Sequence, residues 1–206
     1  VTLINGYITR ERLKEAVGSR NEVHDNDFDR AIGSASRKID EWTGRYFYQD
    51  TAPSDRVAYA ADRTFVCVGD FDSTVGMVVK TDDDGDGIFE TTWDSSEWQA
   101  EPHVRYNFKP FTKISTTTRT REFPFWSRRP LIEVTATWGW GIIPPQVEQA
   151  CEYMAILFYR GKDQYGASIG LMDETEKLTA DPLKIAKELV FEYAVDGGTL
   201  FKPRSL

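Results

Sequence analysis

Three aspartates alternate within Asp82-Asp-Asp-Gly-Asp-Gly-Ile-Phe-Glu90, at positions 82, 84 and 86, and Gly87 follows. Hard carboxylate oxygens at odd positions, then a glycine for the sharp turn, are the first half of a calcium loop. The second half is missing. The position of the bidentate glutamate is Trp93, and β-like sequence flanks the loop on both sides. The segment therefore reads first as a β-hairpin tip in which Asp and Gly supply unusual backbone angles. A weak surface calcium site at Asp82, Asp84 and Asp86 is the second reading.

No other residue set assembles a reaction. His24 and His103 are the only histidines, and neither has a Cys or His at ligand spacing, so no zinc site is expected. His103 has no nucleophile beside it and reads as a loop histidine. No nucleophile elbow and no phosphate-binding Gly-Lys-Ser/Thr loop is present. Cys67 and Cys151 lie in apolar surroundings and read as buried free thiols, which suits a reducing compartment. No enzyme activity and no cofactor is expected.

Two segments carry recognition chemistry. Arg119 to Arg129 holds four arginines, including Arg119, Arg121 and Arg128, against Glu122 alone, interleaved with Phe123, Phe125 and Trp126. Basic and aromatic residues together suit nucleic acid. They equally suit a protein interface, where Arg, Trp and Phe are enriched. The formal net charge of -8 opposes phosphate binding and favours the interface. Acidic stretches at Asp82–Asp86 and Asp173–Glu176 supply a complement for head-to-tail contact between copies. Trp138-Gly-Trp140-Gly reads as a strand-to-helix corner packed under a core, with a carbohydrate-stacking surface as the alternative.

At 206 residues, 40% hydrophobic and 13% aromatic, the chain can bury a core without staples. No apolar run is long enough for a membrane span. The chain begins at Val1 without a basic-then-apolar leader, so no signal peptide is expected. The expected element order is α, α, a long β region, α, α and a tail. Thr9 to Val17 is a short helix with Leu13, Ala16 and Val17 inward and Gly18 as its stop. In the second helix Phe28, Ile32, Ala35, Ile39 and Trp42 form one apolar stripe, Asp25 caps the start and Gly44 the end. Tyr46, Phe47 and Tyr48 then open an extended segment.

Strands are expected within Val57–Val68, at Thr74–Lys80 and Ile88–Trp93 around the aspartate turn, at Phe111–Thr118 and at Leu131–Thr137. Pro144-Pro145 launches a third helix with Val147, Ala150, Cys151, Met154, Leu157 and Phe158 inward, ending near Gly161. Asp181-Pro182 launches a fourth, with Leu183, Ala186, Leu189 and Val190 on its face. Gly197-Gly198 frees the tail, in which Leu200, Phe201 and Leu206 are apolar on a segment too short for its own core. Leu200 and Phe201 read as anchors for a neighbouring surface, with Lys202 and Arg204 for an acidic rim.

The order and spacing of three pieces resemble the head–tail connector (adaptor) proteins of long-tailed bacteriophages. The first is Tyr7-Ile-Thr-Arg-Glu-Arg-Leu leading into Ala35-Ser-Arg-Lys-Ile-Asp-Glu-Trp-Thr-Gly-Arg. The second is Arg129-Pro-Leu-Ile-Glu-Val-Thr-Ala-Thr-Trp-Gly-Trp-Gly-Ile-Ile-Pro-Pro-Gln. The third is Ala155-Ile-Leu-Phe-Tyr-Arg-Gly-Lys-Asp-Gln-Tyr-Gly followed by Asp181-Pro. The central Asp-Gly-Asp-Gly hairpin resembles the β insertion of the form found in phages of actinobacteria. The β region is large beside minimal all-helical connectors.

The resemblance implies an α+β fold. Residues 1–55 would form an N-terminal helical hairpin, 56–137 a β-rich insertion with a hairpin at 74–93, 138–193 the C-terminal helices and 194–206 a docking tail. It implies a structural virion protein of the siphophage neck, made in the host cytoplasm. Copies, typically twelve, would ring beneath the portal protein, and the tail would dock onto it. A further neck, stopper or tail protein would lie below, and genomic DNA would pass through an acidic lumen without tight binding. The runner-up is a calcium- or glycan-linked binding module using the Asp82–Asp86 loop and exposed tryptophans. A packaging factor binding nucleic acid through Arg119–Arg129 is the third reading.

Overall fold

The computed structural model describes residues 5–20, 22–105, 109–118, 121–125, 129–164 and 181–195. Four α-helices and two antiparallel sheets are present among them, an α+β fold. The chain divides into two compact units: residues 1–47 with 143–206, and residues 48–142.

The described helices all belong to the first unit. α1 spans Arg10–Val17, and α2 spans Asp25–Thr43. Thr9 caps α1 by accepting the Arg12 N–H at 3.2 Å, and Gly18 closes it in the left-handed region at φ 70°. The whole expected stripe of α2, from Phe28 to Trp42, is buried. α3 spans Pro145–Gln164 and runs antiparallel to α2, since Phe28 stacks on Tyr159 at 4.3 Å while Ser36 meets Cys151 at 3.5 Å. α4 spans Pro182–Val190, with Asp181 accepting the Leu183 N–H at 3.0 Å, and passes into a 3-10 turn at Phe191–Tyr193.

Several expectations for these helices need correction. His24, not Asp25, occupies the N-cap of α2. The Asp25 carboxylate instead binds Arg10 at 2.9 Å and Lys14, because α1 offers cations that outcompete the backbone. Ala16 is exposed, since an eight-residue helix here buries only Leu13 fully. α3 runs past Gly161 to Gln164. Leu157, Phe158 and Leu183 are more than one-third exposed, at the ends of stripes whose middles are buried.

The second unit holds all the described strands: β1 Ser54–Ala58, β2 Phe65–Phe71, β3 Val78–Thr81, β4 Thr91–Thr92, β5 Trp98–Glu101, β6 Phe111–Thr116 and β7 Ile132–Ala136. One sheet has the order β1-β7-β3-β4, the other β2-β6-β5. Every strand pair is antiparallel, and Val66, Val68, Phe71, Val79, Trp93, Ile114, Ile132, Val134 and Trp138 share one core.

The strand expected over 74–80 starts only at Val78, because Gly76 turns the chain at φ 73° and Met77 N–H bonds back to Thr74. Its expected partner shrinks to Thr91–Thr92, with Ile88 exposed. β5 was not expected at all. Its alternation, Trp98 and Ala100 in with Gln99 and Glu101 half-out, is the period-two signal that marks it.

Candidate functional site

The aspartate segment forms the tip between β3 and β4, and its carboxylates are turned onto its own backbone. Asp82 is buried and accepts the N–H groups of Gly85 at 2.6 Å and Gly87 at 2.8 Å. Asp84 accepts from Asp86 at 3.1 Å, and Asp86 from Ile88 at 2.7 Å. Asp83 receives hydroxyls from Thr81 and Thr91 at 2.9 and 2.7 Å, and its own N–H donates to Glu90 at 3.0 Å. Gly85 and Gly87 take positive φ, 83° and 99°. Burial works against the charge on Asp82, but the loop N–H groups outweigh it and hold the carboxyl below the usual range.

Oxygens of Asp82, Asp84 and Asp86 lie within 4.8 Å of one another, so the sequence motif does bring three carboxylates together. Trp93, where a calcium loop needs its glutamate, is buried and donates its indole N–H to Thr81 at 3.1 Å. These bonds build a self-capped turn, and no further carboxylate closes a cage around it among the described residues.

The tryptophan corner is buried. Trp138 and Trp140 are 1% and 2% exposed. Their indole N–H groups donate to the Ser54 carbonyl at 2.8 Å and to Asp70 at 2.9 Å. Gly139 donates to the Asp70 carbonyl at 2.8 Å, Asp50 to the Trp138 carbonyl at 2.8 Å, and Trp140 to the Tyr48 carbonyl at 3.3 Å. The start and the end of the second unit are thus laced together. Trp42, Trp93 and Trp98 are also buried, so the exposed-tryptophan platform of the glycan reading does not exist among the described residues.

Of the expected interface residues, Arg121 alone is described; Arg119, Trp126, Arg128, Leu200, Phe201, Lys202 and Arg204 lie outside the described residues. The Arg121 guanidinium bonds Glu97 and lies over the Trp93 ring, 4.5 Å from its centroid. Phe123 is a core residue stacked on Trp93 at 4.5 Å, whereas Phe125 is half-exposed beneath Arg63. Part of this basic–aromatic segment is therefore framework, which charge and aromatic content alone do not distinguish from a surface.

The cysteines separate. Cys151 is buried beside Ser36, and burial pushes its thiol up to about 11. Cys67 is exposed, contrary to expectation, because Val66 and Val68 take the inward positions of β2 and the residue between them must face out. His103 is an exposed loop residue and His24 sits 3.4 Å from Asp27.

A polar cluster on α2 was not among the expected sites. The Tyr7 N–H donates to Ser36 at 3.1 Å and its hydroxyl donates to Asp40. That hydroxyl also accepts the Phe47 N–H at 3.0 Å, and Arg37 binds Asp40 at 2.7 Å. The i, i+1, i+4 spacing of Ser36, Arg37 and Asp40 was the available signal. Burial raises both the Tyr7 and the Asp40 pKa.

No family model matches the chain, and no curated protein does. Among solved structures, its fold is similar to a chain in the neck of an empty GTA particle computed with C6 symmetry. The two are 15% identical, the TM-score is 0.57, and the match covers 100% of this chain and 95% of the other.

Proposed function

We propose that this protein is a non-enzymatic head-to-tail connector of a long-tailed phage or phage-like particle. The supporting observation is the end-to-end likeness of fold to a neck chain, spanning helices and sheets alike. That neck was computed with C6 symmetry, with which a ring of twelve copies is compatible. In this reading the ring sits beneath the portal, binds it through the tail residues Leu200, Phe201, Lys202 and Arg204, and joins it to the next neck, stopper or tail protein. DNA passes through the lumen unbound. Modest contacts repeated around the ring give a tight assembly through effective concentration.

The location is the virion neck, after synthesis in the host cytoplasm. Among the described residues no helix is long and apolar enough to cross a membrane. Arg121 remains at the margin of an interface between copies, held in place by Glu97 and Trp93.

Electron microscopy of the purified chain, alone and with portal, tests the ring; a chain that stays monomeric with portal present sinks it. Truncation before Gly197 tests the docking tail. The truncated chain is expected to fold and to leave DNA-filled, tailless capsids unjoined. Capsids that still gain tails would refute the docking role.

A further inference from the structure

The helical unit presents two unlike surfaces on opposite sides of the α2–α3 pair. Asp29, Ser36 and Asp40 lie on one line of α2, at i, i+7 and i+11, and they hold Arg10 and Tyr7. From that side α1 also reaches α3, where Arg12 binds Glu148 at 2.5 Å and Glu152 at 2.7 Å. Trp42, about 200° around the helix from Asp40, faces the other way. Lys187 of α4 lies over its ring, 5.1 Å from the centroid.

The charges of α1 are sorted. Its cations are used inside the unit: Arg10 on Asp25 at 2.9 Å and Asp29 at 2.5 Å, Lys14 on Asp25, and Arg12 on its two glutamates. What α1 leaves outside is Glu11, Glu15 and the small Ala16, all exposed. Neither glutamate has an ionic partner among the described residues. The exposed side of α4 has the opposite character. It carries Leu183, Lys184, Lys187 and Phe191 against Glu188 alone. Lys184 has no ionic partner among the described residues, and Leu183 and Phe191 are more than one-third exposed beside it.

We propose that the exposed side of α4 is the seat for α1 of the next copy of this chain. This rests on the reading that copies form a ring. A closed ring needs two different patches on each copy, matched to one another. Glu11 and Glu15 are about 6 Å apart along α1, and Lys184 and Lys187 about 4.5 Å apart along α4, so the two pairs meet in one register. Ala16 presents little side chain, which lets the apolar groups of α4 come close to the α1 backbone. The charges select the neighbour and its register, since a copy turned the wrong way would set like charges together.

The test is negative-stain electron microscopy and sedimentation of the full-length chain with portal. Lys184→Glu with Lys187→Glu is expected to lower the ring yield about tenfold, and so is Glu11→Lys with Glu15→Lys. Helical circular dichroism should stay native, because all four residues are exposed. The chain carrying all four changes restores opposite charges across the contact and should regain rings. Wild-type ring yield in both double variants overturns the contact while the ring reading stands. Loss in the double variants without recovery in the fourfold variant also overturns it. Rings that form normally but no longer join DNA-filled capsids would give the face to another neck protein, against the proposal. A wild-type chain that forms no ring with portal removes the ring reading and this contact with it.

Should the lysine pair prove necessary for folding, because Lys187 covers Trp42, Lys184→Gln and Glu15→Gln leave that contact intact. A lower ring yield in each supports the proposal. Wild-type yield in both overturns it.

Discussion

Glycines that look alike in the sequence carry opposite consequences. At Gly139, with φ 100°, a Cβ would lie 1.9 Å from the Tyr48 carbonyl oxygen. Gly139→Ala is expected to cost more than about 4 kcal/mol, because strain and backbone overlap act together. Gly33, inside α2, has open space around it. Gly33→Ala should stabilise by about 0.5–1 kcal/mol, the helical cost of glycine. Thermal melts of the two variants check the pair; equal shifts would contradict the geometry. The aspartate tip is argued the same way. Its carboxylates are occupied by backbone N–H groups, so calorimetry should find no calcium binding tighter than about 10⁻⁴ M. A micromolar constant would overturn the turn reading.

Single polar contacts decide the ends of elements. Tyr7 holds the segment before α1 against α2 and occupies the Phe47 N–H. Tyr7→Phe would remove the hydroxyl that both the Phe47 N–H and Asp40 bind, a loss of about 1–3 kcal/mol measurable in denaturant. The strands respond to acid in a defined direction. Hydrogen bonding from Arg121 lowers the Glu97 pKa, and from Lys113 the Glu101 pKa, while loop N–H groups lower that of Asp82. A carboxyl with a depressed folded pKa stabilises above its unfolded value, about 4, and that stability is lost as pH falls through the folded value. Asp40 has the opposite sign. Burial raises its pKa, so its charge costs stability as pH rises from about 4 through the folded value. Asp25 of the helical unit is lowered as well, by hydrogen bonding from Lys14 and the charge of Arg10, so tryptophan emission, dominated by the second unit, and helical circular dichroism should both respond as the pH falls below about 4. Signals that stay native well below pH 4 would contradict the ion-pair assignments.

For the whole molecule, charge decides the behaviour toward DNA. A formal charge of -8 opposes counterion release, the main source of non-specific affinity. Micromolar protein at physiological salt is expected to leave duplex DNA unshifted in a gel. A shift would make the packaging-factor reading the leading one. The two units also make a single melting transition an unsafe assumption, so unfolding is best followed by probes specific to each.

Local chemistry was enough to read the helices. The 3.6-residue recurrence from Phe28 to Trp42, the Asp181 cap and the Gly18 and Gly44 stops act within a few residues, so the chain itself carries them. The same holds for the turn character of the aspartate loop, which Asp and Gly create locally. Partners distant in sequence were settled only by the fold. Asp25 turned from cap to ion pair because Arg10 and Lys14 lie across from it. Phe123 became core because Trp93 lies beneath it, and Trp138 and Trp140 found Ser54 and Asp70. Cys67 faces outward because the register of β2 gives the inward positions to its neighbours, and a shift of one residue would reverse that. Residue type sets what a side chain can do. Which of those capacities is spent inside the fold, and which is left for another molecule, depends on contacts between residues tens of positions apart.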